Sequence, residues 1–269
     1  MGTTEAVDDY LKAIFEIAGD EGRASTVSLA KRLSVAPASV TGMLRKLAEH
    51  QPPWVQYEKH RGARLTEPGR LRALEIIRHH RLIELFLHDS LGYSWDEVHA
   101  EAEKLEHAIS ETFEDRIAEK LGDPEIDPHG HPIPRKDGTI PERKEIPLLE
   151  LPVGSEASVS RVSDSDPEIL RYLFGLGIVP GAALLLSERG PFDGPLLLKV
   201  DGVPEVRAIG MRVAKQIHVV DDSEPDASEP GGAEAGAAEA AGLEPGRSES
   251  DASEANRSEA NGSEAKTNA

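Results

Sequence analysis

The chain has 269 residues, no cysteine and a formal net charge of −19. Without a thiol it builds neither disulfides, nor thiolate metal sites, nor a cysteine redox switch. Apolar runs such as residues 182–186 fall far short of a bilayer span, and Met1–Ala6 is neither basic nor apolar; no membrane partner or leader segment is expected, and the protein reads as cytoplasmic.

Residues 5–19 read as an amphipathic helix with Leu11, Ile14, Phe15 and Ile17 inward. A short helix follows, for which Thr26 can cap and Leu29, Ala30 and Leu33 form the inner face. After a tight connection at Ser34–Ala36, a second helix runs from Pro37 to Glu49, with Val40, Met43, Leu44 and Leu47 inward. Its outward residues Ser39, Thr41, Gly42 and Arg45 are small or polar groups able to approach base edges. Next, the strand-like runs 54–58 and 63–65 flank Lys59-His60-Arg61-Gly62, a hairpin with a basic tip. Helix, helix-turn-helix and basic wing in that order predict a winged-helix DNA-binding domain over residues 1–72. Charge agrees: residues 28–72 hold nine Lys or Arg against three Asp or Glu, so the positive charge sits where phosphate would be met.

Residues 67–90 and 95–121 predict two further helices within a helical domain over 73–140; the second has Val98, Ala102, Leu105, Ile109 and Phe113 on its apolar side. On that helix His99, Glu103, Glu106 and His107 stand at i, i+4, i+7 and i+8, one face at 3.6 residues per turn. His80 and Glu84 repeat the i, i+4 step on the helix before it. Imidazole and carboxylate on facing helices can hold a hard or borderline divalent cation without sulfur. His79 and His88 read instead as solvated helix-face groups, and His129 and His131, in a Pro-rich loop, as poor ligands.

The Pro- and Gly-rich stretch 122–152 predicts a boundary, with 141–150 as linker. Short apolar runs at 157–162, 183–186, 196–200 and 217–220, with one helix at 167–176, predict a small β-barrel over 151–220. In the tail, 221–269, Glu recurs every fifth residue from Glu224 to Glu264, and three Lys or Arg face thirteen Asp or Glu. A period of five with one large apolar residue, Leu243, buries no core, so an acidic disordered tail is expected.

Asp9-Tyr10-Leu11, the winged helix, His80-x3-Glu84 and His99-x3-Glu103-x2-Glu106-His107 together resemble the diphtheria-toxin-repressor family of iron- and manganese-dependent regulators. The segments 130–134, 164–170 and 177–181 are similar to that family's link into its third domain and to its SH3-like module. The resemblance spans residues 5–220. It implies an α+β multidomain fold and a homodimer on palindromic double-stranded operator DNA, with Mn²⁺ or Fe²⁺ as cofactor. Neither an enzyme nor a small-molecule substrate is implied. The primary metal site would be Asp9, Glu103, Glu106 and His107; the ancillary site would be His80, Glu84 and His99, with Asp166 reaching in from the third domain. Thr26 and Ser28 match phosphate-contacting positions, and Pro37, Ala38, Ser39 and Thr41 the operator-facing start of the recognition helix; Arg45, Lys59 and Arg61 complete the expected DNA surface.

Two departures from the family pattern carry information. Iron-type members have Met and Cys where this chain has Asp9 and Glu103, and oxygen-plus-imidazole ligation favours manganese. Short manganese regulators have a carboxylate where this chain has Lys12, which argues for an ancillary site closed by the third domain rather than a paired-metal centre. Two readings of another class stay open: a dinuclear metal hydrolase, and a winged-helix regulator that ignores metal.

Overall fold

The computed structural model describes residues 5–19 and 22–221. The acidic repeat from residue 222 onward lies outside the described residues.

Three helices, α1 (Glu5–Ala18), α2 (Thr26–Arg32) and α3 (Pro37–Glu49), precede an antiparallel hairpin of β1 (Val55–Glu58) and β2 (Gly62–Leu65). Apolar side chains at helical spacing explain α1: Val7, Tyr10, Leu11 and Ile14 are buried in one core with Leu29 of α2 and Val40, Leu44 and Leu47 of α3. Ile17 lies at the open end of α1 and is exposed rather than inward. Ser25, not Thr26, caps α2; its hydroxyl accepts from the Ser28 N–H at 3.0 Å. Pro37 opens α3, where its missing N–H loses no helical bond. In the hairpin, a Cβ at Gly62 (φ +87°) would stand 2.3 Å from the Ala24 carbonyl oxygen, so only glycine lets the wing close on the helices.

Helix α4 (Glu67–Leu91) is capped by Thr66 and ends in left-handed Gly92. The single helix expected over 95–121 is two: α5 (Val98–Leu105) and α6 (Glu111–Leu121). Ser110 caps α6 by accepting from the Phe113 N–H at 3.3 Å. The apolar period continues through the break, but Leu105 and Phe113 are exposed and only Ile109 packs against the core there. As a result Glu106 and His107 occupy the turn after α5 instead of extending its face.

The predicted boundary is ordered and partly buried. Ile133 joins the core of α4, α5 and α6, and the Asp127 carboxylate accepts from the N–H groups of His129 and His131 at 2.8 and 2.9 Å, closing a tight loop. This loop lies on the β domain: a Cβ at Gly130 (φ +88°) would stand 2.1 Å from the Ser160 carbonyl oxygen.

The remainder comprises β3 (Ile146–Pro147), β4 (Glu156–Val162), α7 (Pro167–Leu176), β5 (Ala183–Arg189), β6 (Leu196–Val200), β7 (Arg207–Ile209), α8 (Met211–Ala214) and β8 (Ile217–Asp221). The strands form one antiparallel sheet in the order β3-β8-β4-β5-β6-β7. β3, β7 and α8, absent from the sequence expectation, are two to four residues long and too short to show a period. Trp95, just before α5, is buried in the core of this sheet, and its Nε1–H donates to the Pro128 carbonyl at 2.9 Å. Among the described residues no helix is long and apolar enough to cross a membrane.

Candidate metal centres

The first centre joins α1 to the turn after α5. A ligand atom from each of Asp9, Glu106 and His107 falls within 4.8 Å of the others. His107 Nε2 lies 3.0 Å from Asp9 Oδ1 and 3.4 Å from Glu106 Oε1. Burial raises the Asp9 pKa, and His107 offsets this only in part. The neighbouring Asp8 is engaged elsewhere: Arg72 donates to both its oxygens, at 2.9 and 2.8 Å. Glu103 lines the same cleft of about 450 Å³, yet its ion-pair contact is His99 Nε2 at 3.5 Å, which holds its pKa down at about 2.

Lys12 is the unexpected member. Its buried ammonium donates to Glu106 Oε2 at 2.7 Å and Oε1 at 3.0 Å, and lies 3.1 Å from His80 Nδ1. His80 also hydrogen-bonds Glu106. A lysine tethered on α1 thus supplies positive charge inside the centre. Burial opposes ionisation of Glu106, but His80 and Lys12 outweigh it and hold its carboxyl below the usual range.

The second centre lies between α4, α5 and the β domain. His80, Glu84, His99 and Asp164 each place a ligand atom within 4.8 Å of the others. His80 Nε2, His99 Nδ1 and Glu84 Oε1 form a triangle with sides of 3.0, 3.1 and 3.1 Å. Asp164 Oδ2 is 3.4 Å from His99 Nδ1. Burial disfavours charge on His99, but Asp164, Glu103 and Glu84 push its pKa up to about 12.

The carboxylate reaching in from the third domain is therefore Asp164 and not Asp166. Asp166 instead caps α7, accepting from the N–H groups of Glu168 and Ile169 at 3.0 and 3.4 Å, and its other oxygen accepts from Arg212. An Asp directly before the first-turn Pro167 is held at the helix end.

Two histidines set aside in the sequence also belong here. Asp127, His129 and His131 form a third grouping that adjoins the second centre. His129 is fully buried; its Nε2–H donates to the Trp95 carbonyl at 2.8 Å, and its Nδ1 faces Glu84 Oε2 at 3.8 Å. His131 Nδ1 is 3.3 Å from Asp127 Oδ2 and 3.9 Å from Asp164 Oδ2. Glu84 Oε2, Asp127 Oδ2, His129 Nδ1 and His131 Nδ1 are buried without a hydrogen bond. Asp127, His129 and His131 each place a ligand atom within 4.8 Å of the others, with Arg81 Nε 3.7 Å from Asp127 Oδ2 at the edge; such a donor set fits a cation, and a ring nitrogen fixed by an N–H to a carbonyl is how proteins orient a metal-ligating histidine. The only trace of this in the sequence is the alternation Asp127-x-His129-x-His131.

On the DNA side, Pro37, Ala38, Ser39 and Arg45 are exposed along α3, and Ser28 on α2. Thr26 and Thr41 are half-buried, and the Thr41 hydroxyl donates to the Pro37 carbonyl at 3.1 Å. At the wing, Lys59 and Arg61 are exposed, and Arg61 pairs with Glu58 at 3.1 Å.

A winged helix coupled through α1 to imidazole–carboxylate centres, themselves closed by a small β domain, defines a metal-binding regulator. Residues 2–63 match the family model described as iron dependent repressor, N-terminal DNA binding domain, and residues 66–135 match its metal binding and dimerisation domain. Residues 146–221 match the FeoA domain. Over 211 residues the chain is 30% identical to the iron-dependent repressor IdeR of Mycobacterium leprae (strain TN), covering 74% of this chain and 89% of that protein. It is 32% identical over 117 residues to the HTH-type transcriptional regulator MntR of Bacillus subtilis (strain 168), covering 44% and 80%. A solved manganese-dependent transcriptional repressor in complex with manganese superposes with a TM-score of 0.74 at 39% identity, covering 80% of this chain and 99% of that one. The chain belongs to the diphtheria-toxin-repressor family of iron- and manganese-dependent repressors.

Proposed function

We propose that this protein is a manganese-responsive transcriptional repressor, binding a palindromic operator as a homodimer when metallated and controlling metal-uptake genes. The observation that carries this is the position of α1. One side of it presents Asp9 to Glu106 and His107, while Leu11 and Ile14 pack into the core that holds the recognition helix α3. Any constraint on α1 is therefore felt by α3.

A divalent cation at the first centre supplies positive charge shared by carboxylates of α1 and of the α5 turn. Asp9, Glu106 and His107 would hold it, with Glu103 at the rim of the cleft. His80, Glu84, His99 and Asp164, with Asp127, His129 and His131, would hold cations where the β domain meets α4 and α5. At the first centre the donors are carboxylate oxygens with one imidazole and no sulfur, which favours Mn²⁺ over Fe²⁺. For the ion to act as co-repressor it must bind the DNA-competent arrangement of α1 more tightly than the alternative, and DNA must in turn tighten the ion. Thr26, Ser28 and the start of α3 from Pro37 to Thr41 would face DNA with Arg45, and Lys59 and Arg61 would meet phosphate. Glu84 and His129 are fully buried, which leaves a hydrolytic substrate no approach to the second centre.

The test is fluorescence anisotropy on a labelled fragment of the chain's own upstream promoter, titrated with Mn²⁺ or, anaerobically, Fe²⁺, against a chelator control. Binding only with metal, at lower free Mn²⁺ than Fe²⁺, is expected. Equal response to the two ions removes the manganese preference, and binding in chelator overturns the proposal.

A further inference from the structure

A further imidazole–carboxylate cluster lies outside the centres described above, between α4 and the start of α6. Consecutive helical residues point about 100° apart, so His79 leaves α4 in a different direction from His80. Glu75 lies one turn before His79 on the same face, and Glu111 and Glu114 come from the first turn of α6. Ligand atoms of Glu75, His79 and Glu111 lie within 4.8 Å of one another. His79 Nε2 stands 2.8 Å from Glu114 Oε2 and 3.6 Å from Glu111 Oε1.

The sequence reading of His79 as a solvated group fails here, because its side chain is only 5% exposed. Its Nδ1–H donates to the main-chain carbonyl of Glu106 at 3.2 Å, which aims Nε2 into the carboxylates. There Nε2 makes no hydrogen bond of acceptable geometry despite its close neighbours. A buried imidazole, fixed through one nitrogen by a carbonyl and directing the other at carboxylates, has the orientation of a metal ligand. Arg72 and Arg78 contribute charge at the edge, pairing with Glu75 at 2.7 Å and Glu114 at 2.5 Å. Glu111 is mostly exposed at the mouth of a cleft of about 380 Å³, giving an ion a route from solvent. Burial and the facing Glu75 raise the Glu111 pKa, as expected for carboxylates crowded together.

We propose that Glu75, His79 and Glu111, backed by Glu114, form an additional binding site for a divalent cation of the Mn²⁺ or Zn²⁺ type. Such a site would not be isolated. The carbonyl that orients His79 belongs to Glu106, and Arg72, which pairs with Glu75, also grips Asp8 beside Asp9. An ion there would stiffen the frame around the first centre without sharing a ligand with it.

The test uses the full chain and counts bound Mn²⁺, and separately Zn²⁺, by equilibrium dialysis and, for Mn²⁺, electron paramagnetic resonance. Wild type is compared with Glu75→Gln/Glu111→Gln and with Glu111→Gln alone, whose exposed position spares the fold; circular dichroism in chelator checks that the apo forms match. One bound ion fewer per chain in the double variant, with the remaining sites unchanged, is expected. Identical stoichiometry and affinity in wild type and both variants, for both ions, would mean an ion-pair cluster only. An Asp9→Asn chain should keep the additional ion, so failure of this site and failure of the co-repressor reading are distinguishable.

Discussion

The centre at Asp9 and the one around Glu84 use the same chemistry in opposite settings. At the first, Asp9 is half-exposed on α1, the cleft is open, and Lys12 already neutralises Glu106. At the second, Glu84 and His129 are fully buried, the donors come from α4, α5, the 127–131 loop and the β domain, and several atoms have no hydrogen bond. An open site with an internal counter-ion is suited to exchanging its cation and so to sensing. An enclosed site spanning four segments is suited to locking a domain in place, because a cation there offsets the cost of burying carboxylates.

Four tests would break or sharpen this contrast. The largest effect is expected for Glu106→Gln, which removes the carboxylate shared by Lys12, His80 and His107. Breaking a buried pair from one side costs on the order of 3–5 kcal/mol, so urea unfolding of the apo chain should show a loss of that size, and metal-stimulated DNA binding should vanish. A Glu106→Gln chain with unchanged apo stability would show that Lys12 is not the internal counter-ion.

Second, Asp164→Asn should weaken metal binding at the enclosed centre by roughly tenfold or more, read by calorimetric titration. Asp166→Ala, by contrast, should cost only about 0.5–2 kcal/mol through the lost helix cap and leave that isotherm in place. The reverse pattern would restore Asp166 as the ligand.

Third, Lys12→Met removes the tethered cation. Glu106 then lacks its nearest positive charge, so the apo melting temperature should fall while the first centre binds Mn²⁺ more tightly, on the order of tenfold, one pKa-unit equivalent of electrostatic interaction. Weaker Mn²⁺ binding in this variant would make Lys12 part of the metal site's support instead of its competitor. The smallest changes are expected at the wing: Lys59→Ala should lower the slope of log affinity against log salt by about 0.9 and weaken all DNA sequences alike. For Arg61→Ala the change should be smaller, since Arg61 already pairs with Glu58.

Much of the fold was legible because its elements are long or sharply punctuated. The bounds of α3 and α7 and the basic wing follow from period, Pro at the helix start and Gly at the turn. The split between α5 and α6 was not, because Leu105, Ile109 and Phe113 keep helical spacing across a turn whose only local sign is Ser110. The site was legible where ligands share a helix, as with His80 and Glu84. It was obscured where they come from loops: a one-dimensional pattern does not say that residues 127–131 dock against α4, or that Asp164 rather than Asp166 meets His99. The Asp-Pro step did contain the answer for Asp166, since that pairing is a helix-start signal. His79 was misread because adjacency to His80 hides the fact that the two rings leave α4 toward different neighbours.

The most direct test is reciprocity at the first centre: Mn²⁺ affinity measured by calorimetry with and without saturating promoter DNA, alongside DNA affinity with and without Mn²⁺. If the ion acts by setting α1, and through it α3, DNA should tighten Mn²⁺ by the same factor by which Mn²⁺ tightens DNA, and Glu106→Gln should bring both factors to one. Mn²⁺ affinity that is indifferent to DNA would contradict it, leaving the metal centres as structural fixtures of a repressor controlled in some other way.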